Sequence, residues 1–169
     1  RPEATTIPGP PLFATSEAVP SGLLVIDTPD FDTGDLDRMR NRERAEPVLR
    51  TAELLIYVFT NTVYNNLSNT RFMADVVGGI GGRPTVLIYR ITRAAPDAEV
   101  LEHCLSVGRR LYQSRDPVGS RADAFGRVVG MYRMHESDAV ALGEGEPMLV
   151  PIGEITAGRP LHRLLADLD

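Results

Sequence analysis

The sequence predicts an α/β fold with a mainly parallel sheet flanked by helices. Two observations carry that expectation. Several apolar runs lack the polar alternation of a half-solvated sheet, the mark of strands covered on both faces. Helical segments separate those runs, the order that builds a parallel sheet from crossover connections. At 169 residues, 43% hydrophobic and 24% charged, the chain has room for one domain with a substantial core.

Residues 1–22 carry prolines at 2, 8, 10, 11 and 20, too many for a helix, because each removes a donor and fixes φ. A short edge strand is expected at 12–15, turning back at Pro20-Ser21-Gly22. The run Leu23-Leu24-Val25-Ile26, ending at Asp27, is expected as a strand buried on both faces. Residues 35–46 are helix formers with only Leu36 and Met39 strongly apolar, so they predict a solvated helix or a mobile segment, interrupted at Pro47. A second buried strand is expected at 54–60, then a polar loop and a helix at 70–77, closed by Gly78, Gly79, Gly81 and Gly82. Thr85–Ile91 is the third strand.

The clearest helix spans 96–112, where Pro96 suits the first turn and Val100, Leu101, Cys104, Leu105, Leu111 and Tyr112 recur at helical spacing. Cys104 therefore belongs to the core, and His103 beside it is expected in solvent. A fourth strand at 128–134, a Gly/Glu-rich excursion, a short apolar piece at 148–152 and a helix at 160–168 complete the order.

Composition excludes several chemistries. All 18 basic residues are arginine, so no phosphate-loop lysine, Schiff-base lysine or lysine base exists in this chain. A net charge of −5 argues against nucleic acid as a partner. One cysteine rules out an internal disulfide or a multi-thiolate zinc site. No run is long and apolar enough to span a bilayer, and a cytoplasmic location is expected. The first residue is Arg1 rather than methionine, from which the chain is expected to be part of a longer one.

Chemistry concentrates in Asp27-Thr28-Pro29-Asp30-Phe31-Asp32-Thr33-Gly34-Asp35, four carboxylates in nine residues at the end of an expected strand. Ligands of open α/β sheets lie beyond strand carboxyl ends, and hard cations, Mg²⁺ above all, suit such oxygens. An EF-hand loop started at Asp30 places Gly34 at position 5 and Asn41 at position 12, and fails. A phosphatase with an aspartate nucleophile wants a second aspartate where Pro29 stands. The bland alternative is an acidic surface loop that caps the next helix.

Four apolar residues, then DTPDFDT, a charged helix and AELLIYVFT resemble the Walker-B and switch II region of translation-factor-class P-loop GTPases, most of all their dynamin-like and ribosome-associated bacterial relatives. The resemblance spans about residues 1 to 113 and rests on the order of three elements. It implies a partial G domain lacking its first strand, P-loop and first helix: a proline-rich, switch I-like region over 1–22, a core over 23–113, and a closing strand, excursion and helix over 114–169. It implies GTP as ligand and Mg²⁺ as cofactor in the intact parent, with membrane or ribosome association through parts outside this chain.

Carried over by position, Asp27 holds Mg²⁺ through a water, and Thr5 or Thr6 stands for the switch I threonine that ligates the ion. Asp30 falls where the family has a glycine whose N–H contacts the γ-phosphate. Residues 36–46 are the switch II helix. Tyr89, Arg90 and Thr92 occupy the base-reading motif; Arg90 could stack on the base as the family lysine does. The asparagine and aspartate of that motif are absent, so guanine discrimination is expected to be reduced. The expectation is a GTP-hydrolysing switch. Its rivals are a degenerate G domain serving as an interaction module and an unrelated Mg²⁺-dependent phosphotransfer domain.

Other features have simpler readings. The glycines at 78–82 follow a helix and precede a strand, which suits a helix cap rather than a phosphate loop. Tyr64-Asn65-Asn66 is a polar loop. His103, His135 and His162 are too scattered for a metal site. Arg38, Arg40, Arg42 and Arg44 are expected as a solvated helix face rather than an arginine finger.

Overall fold

Three of the expected strands lie side by side in a computed structural model, which describes residues 22–28, 35–60, 83–112 and 127–167. The order along the chain is α1 (Asp35–Thr51), β1 (Leu55–Phe59), β2 (Thr85–Ile91), α2 (Asp97–Tyr112), β3 (Val128–His135), α3 (Asp138–Leu142), β4 (Val150–Pro151), α4 (Gly153–Thr156) and α5 (Leu161–Ala166). The sheet runs β1-β2-β3-β4; the first three strands are parallel and β4 is antiparallel to β3. The α/β expectation holds at this level.

Side-chain alternation splits the core into two layers. Leu55, Tyr57 and Phe59 of β1, with Leu87, Tyr89 and Ile91 of β2 and Met131 of β3, belong to one cluster with Ala45 and Leu49 of α1 and Val100, Cys104, Val107 and Leu111 of α2. Val86 and Ile88, offset by one residue, join Tyr132 and Leu164 of α5 in a second. That layer narrows toward β1, where Ile56 and Val58 are exposed. Gly130 allows α5 to approach: a Cβ there would stand 2.7 Å from Leu164 Cδ1 and 3.0 Å from Tyr132 Cε2.

Several expectations need correction. Residues 23–26 form no strand and are not buried; Leu24 is 70% and Val25 61% exposed. A doubly apolar strand is stable only with a neighbour along its edge and a layer on each face, and the described sheet places this run beside none of its strands. The charged helix is not interrupted at Pro47 but continues through it to Thr51. Proline forfeits one ladder bond, which the buried Ala45 and Leu49 and the Arg50–Glu46 ion pair, 2.8 Å from Nε to Oε1, help offset. His103 is not a freely solvated residue, because its ring stacks on Tyr89 with centroids 5.4 Å apart. The edge strand at 12–15, the helix at 70–77 and the glycine cluster lie outside the described residues.

Candidate functional site

The parallel strands β1, β2 and β3 all point their carboxyl ends to one rim, formed by Thr60, then Thr92 and Arg93, then Glu136 and Ser137. The ladder continues past β2 and β3, with Glu136 N–H donating to Ile91 O at 3.2 Å. Arg90 and Glu136 form a loose ion pair at 3.8 Å, both half-exposed. One residue further in, Arg133 Nε approaches Asp97 Oδ1 of α2 at 3.1 Å, and its Nη1 lies 3.3 Å from His135 Nε2. The rim is thus a mixed-sign patch in which described arginines stand beside carboxylates. A pair as exposed as Arg90–Glu136 contributes at most about 1 kcal/mol, so it fixes local geometry more than it stabilises the fold.

The residues expected to read a base separate here. Tyr89 is 4% exposed, edge-on to Phe59 at 5.5 Å and stacked on His103, so its side chain is committed to the layer beneath α2. Alternation along the strand then turns Arg90 outward, and Thr92 beyond it is exposed too. Arg90 retains a planar cation at the rim; Thr92 brings a hydroxyl and no carboxylate.

Asp27 is exposed at the end of the irregular run 22–28. Asp30, Thr5 and Thr6 lie outside the described residues, as do Asp32 and the loop at 64–66. Among the described residues no three His, Cys, Asp or Glu side chains gather closely enough to hold a metal ion. A single exposed carboxylate such as Asp27 suits Mg²⁺ only in the mode where the ion keeps most of its waters and takes other oxygens from a bound phosphate. Cys104 is inert: it is fully buried, and burial pushes its thiol up to about 12.

Glu136, Arg133 and Asp97 were not among the residues singled out from sequence. The signal was available for Glu136, because the rule that drew attention to Asp27, a polar residue just after an apolar strand, applies equally to the end of β3. The chain matches no protein-family model, no curated protein and no solved structure. No described helix is long and apolar enough to cross a membrane.

Proposed function

We propose that this chain is part of a GTP-binding, GTP-hydrolysing switch domain. The observation that carries the reading is the order of the sheet. β1, β2 and β3 are parallel and are laid down in sequence order from one edge, with α1 and α2 against one face and α5 against the other. The resemblance at residues 23–60 implies the same arrangement for the last strands of a G domain. In open α/β sheets the ligand crevice lies where strand order reverses. Within β1-β2-β3 it does not reverse, which directs the crevice to the outer side of β1.

On this reading the run 23–27 enters the sheet beyond β1, with a phosphate-loop strand of the parent between them. Its exposed leucines, valine and isoleucine are then the side chains that such a strand and its helix would cover. Asp27 arrives at the crevice and would hold Mg²⁺ through a water. When bound, that ion neutralises charge on the transferring phosphoryl group. The chain's own parts position: α1 follows the acidic loop as the element that responds to the phosphate, and Arg90 offers its guanidinium plane to a base.

A second reading, a degenerate G domain acting as an interaction module, is favoured by the engagement of Arg90 with Glu136, the burial of Tyr89 and the exposed apolar run. Titration calorimetry on the intact parent separates the two. Mg²⁺-dependent GTP binding there, with the 169-residue chain alone binding only weakly, is expected. An intact parent that binds no nucleotide would leave the module, and tight Mg²⁺-dependent GTP binding by the isolated chain would overturn the placement of the phosphate cradle outside it.

A further inference from the structure

The position just past β2 lacks a carboxylate, because Thr92 stands where the resembled GTPases carry an aspartate. The neighbouring strand brings one to the same place. β2 and β3 run in register as far as Ile91 and His135. Glu136 N–H then donates at 3.2 Å to Ile91 O, the oxygen of the peptide unit that joins Ile91 to Thr92. Glu136 therefore leaves the sheet beside Thr92, one strand spacing of about 4.8 Å away, with a side chain one carbon longer than aspartate.

Direction matters as much as place. Alternation puts Arg90 on the face of Val86 and Ile88, and Glu136 on the face of Tyr132, which belong to one core layer. The two side chains meet accordingly, with Arg90 Nη1 3.8 Å from Glu136 Oε1. Asp97, the other rim carboxylate beside an arginine, is engaged elsewhere: Arg133 Nε lies 3.1 Å from it, on the α2 side of the sheet with Met131. After Glu136 the chain turns away, because Ser137 caps α3 with its Oγ accepting Val140 N–H at 3.4 Å. The Glu136 side chain stays 56% exposed and that of Arg90 45%. A pair this long and this exposed loosens at little cost, so both groups can turn to a ligand.

Together they select one kind of ring. A guanidinium is a flat cation that lies against a flat ring and does not distinguish one purine from another. A carboxylate only accepts, and its two oxygens match the adjacent N1–H and 2-amino donors on the edge of guanine. Adenine has an acceptor at N1 and no 2-amino group, so it sets lone pair against lone pair. Hypoxanthine keeps the N1–H and lacks the amino donor.

We propose that Glu136 is the guanine-reading residue of this chain, its carboxylate taking the N1–H and the 2-amino group of a base that lies against Arg90. This role rests on the GTP-binding reading above. It replaces the reduced discrimination expected from Thr92 with a strict one, because the carboxylate is moved to the next strand rather than lost. Arg90 holds the base, and Glu136 chooses it.

Titration of the intact parent with GDP, inosine diphosphate and ADP at fixed Mg²⁺ tests this. The native protein should bind GDP about tenfold or more tighter than inosine diphosphate, the effect of one charge-assisted hydrogen bond, and about a hundredfold or more tighter than ADP. Glu136→Gln keeps the size of the side chain and the backbone bond to Ile91, but sets an amide donor against a guanine donor. It should bring GDP and inosine diphosphate within about threefold of each other, with the thermal midpoint unchanged. Arg90→Ala should weaken all three by similar factors and leave their ratios standing. Nucleotide binding with a native GDP-to-inosine-diphosphate ratio near one, or with a ratio that Glu136→Gln does not move, would overturn the role of Glu136 and leave the GTP-binding reading in place. A parent that binds none of the three would overturn both.

Discussion

The Thr156 hydroxyl acts as a strand neighbour for one residue of β3. Met131 N–H donates to Thr156 Oγ1 at 2.7 Å, and the same oxygen lies 2.9 Å from Met131 O and 2.8 Å from Ile152 O. Thr156 is fully buried, so replacing the hydroxyl by a methyl strands the Met131 N–H away from water. Thr156→Val should cost about 1–3 kcal/mol, read as a lower urea midpoint at unchanged slope. Cys104 makes a prediction about pH. Its thiol is held neutral well above its ordinary 9.0, up to about 12, by burial. Below about pH 9 both the folded and unfolded chains hold the proton, and the contribution is fully present. Above it the unfolded chain loses the proton first, so stability falls as pH rises toward about 12, by at most ~1.4 kcal/mol per pH unit from this one group. Denaturation midpoints should decline more steeply above pH 9 in the native chain than in Cys104→Ala; equal declines would place the titration elsewhere.

At the scale of elements, Pro47 gives the cleanest test of what holds α1. Because the helix survives its proline, restoring the N–H at an exposed interior position should be a gain. Pro47→Ala is expected to stabilise by about 2–2.5 kcal/mol, the ~3 kcal/mol interior penalty less the ~0.4–1 kcal/mol of entropy that proline removes from the unfolded chain. A thermal melt that shifts downward would mean that the proline itself is needed for docking. Elements announced by local pattern were legible from sequence: β2 falls exactly where its apolar run predicts, and α2 starts one residue after Pro96. Cys104 lies on the buried face, though Val107 and Gly108, which also line it, were not singled out. What was not legible depends on partners distant in sequence. Nothing near Pro47 announces that Arg83, more than thirty residues on, will donate to the carbonyls of Leu49 and Arg50 at the end of the helix, and nothing in the run 23–26 tells whether a neighbouring strand will be there. The site divides in the same way. Its position at the strand carboxyl ends follows from fold class, whereas the inward turn of Tyr89 and the meeting of Arg90 with Glu136 follow from register between two strands.

For the molecule as a whole, Asp27 carries the functional reading and its test. On the GTPase reading, Asp27→Ala in the intact parent should lower GTP hydrolysis by about a hundredfold or more while leaving the fold intact, as expected for one electrostatic group at an exposed position outside the sheet. Asp32→Ala and Asp35→Ala should change the rate less than about threefold and stability by less than ~0.5 kcal/mol. Single-turnover rates at saturating Mg²⁺ and GTP make the comparison, and equal effects at all three would return the stretch to an acidic loop. The open run at residues 23–26 has one more consequence, for colloidal behaviour. Four consecutive apolar side chains facing water make neighbouring molecules attract, and at neutral pH a net charge of −5 is what keeps them apart. Near the isoelectric point of about 5.2 that repulsion vanishes while the stickiness remains, so mild acid should turn a clear solution of this chain cloudy well before it unfolds.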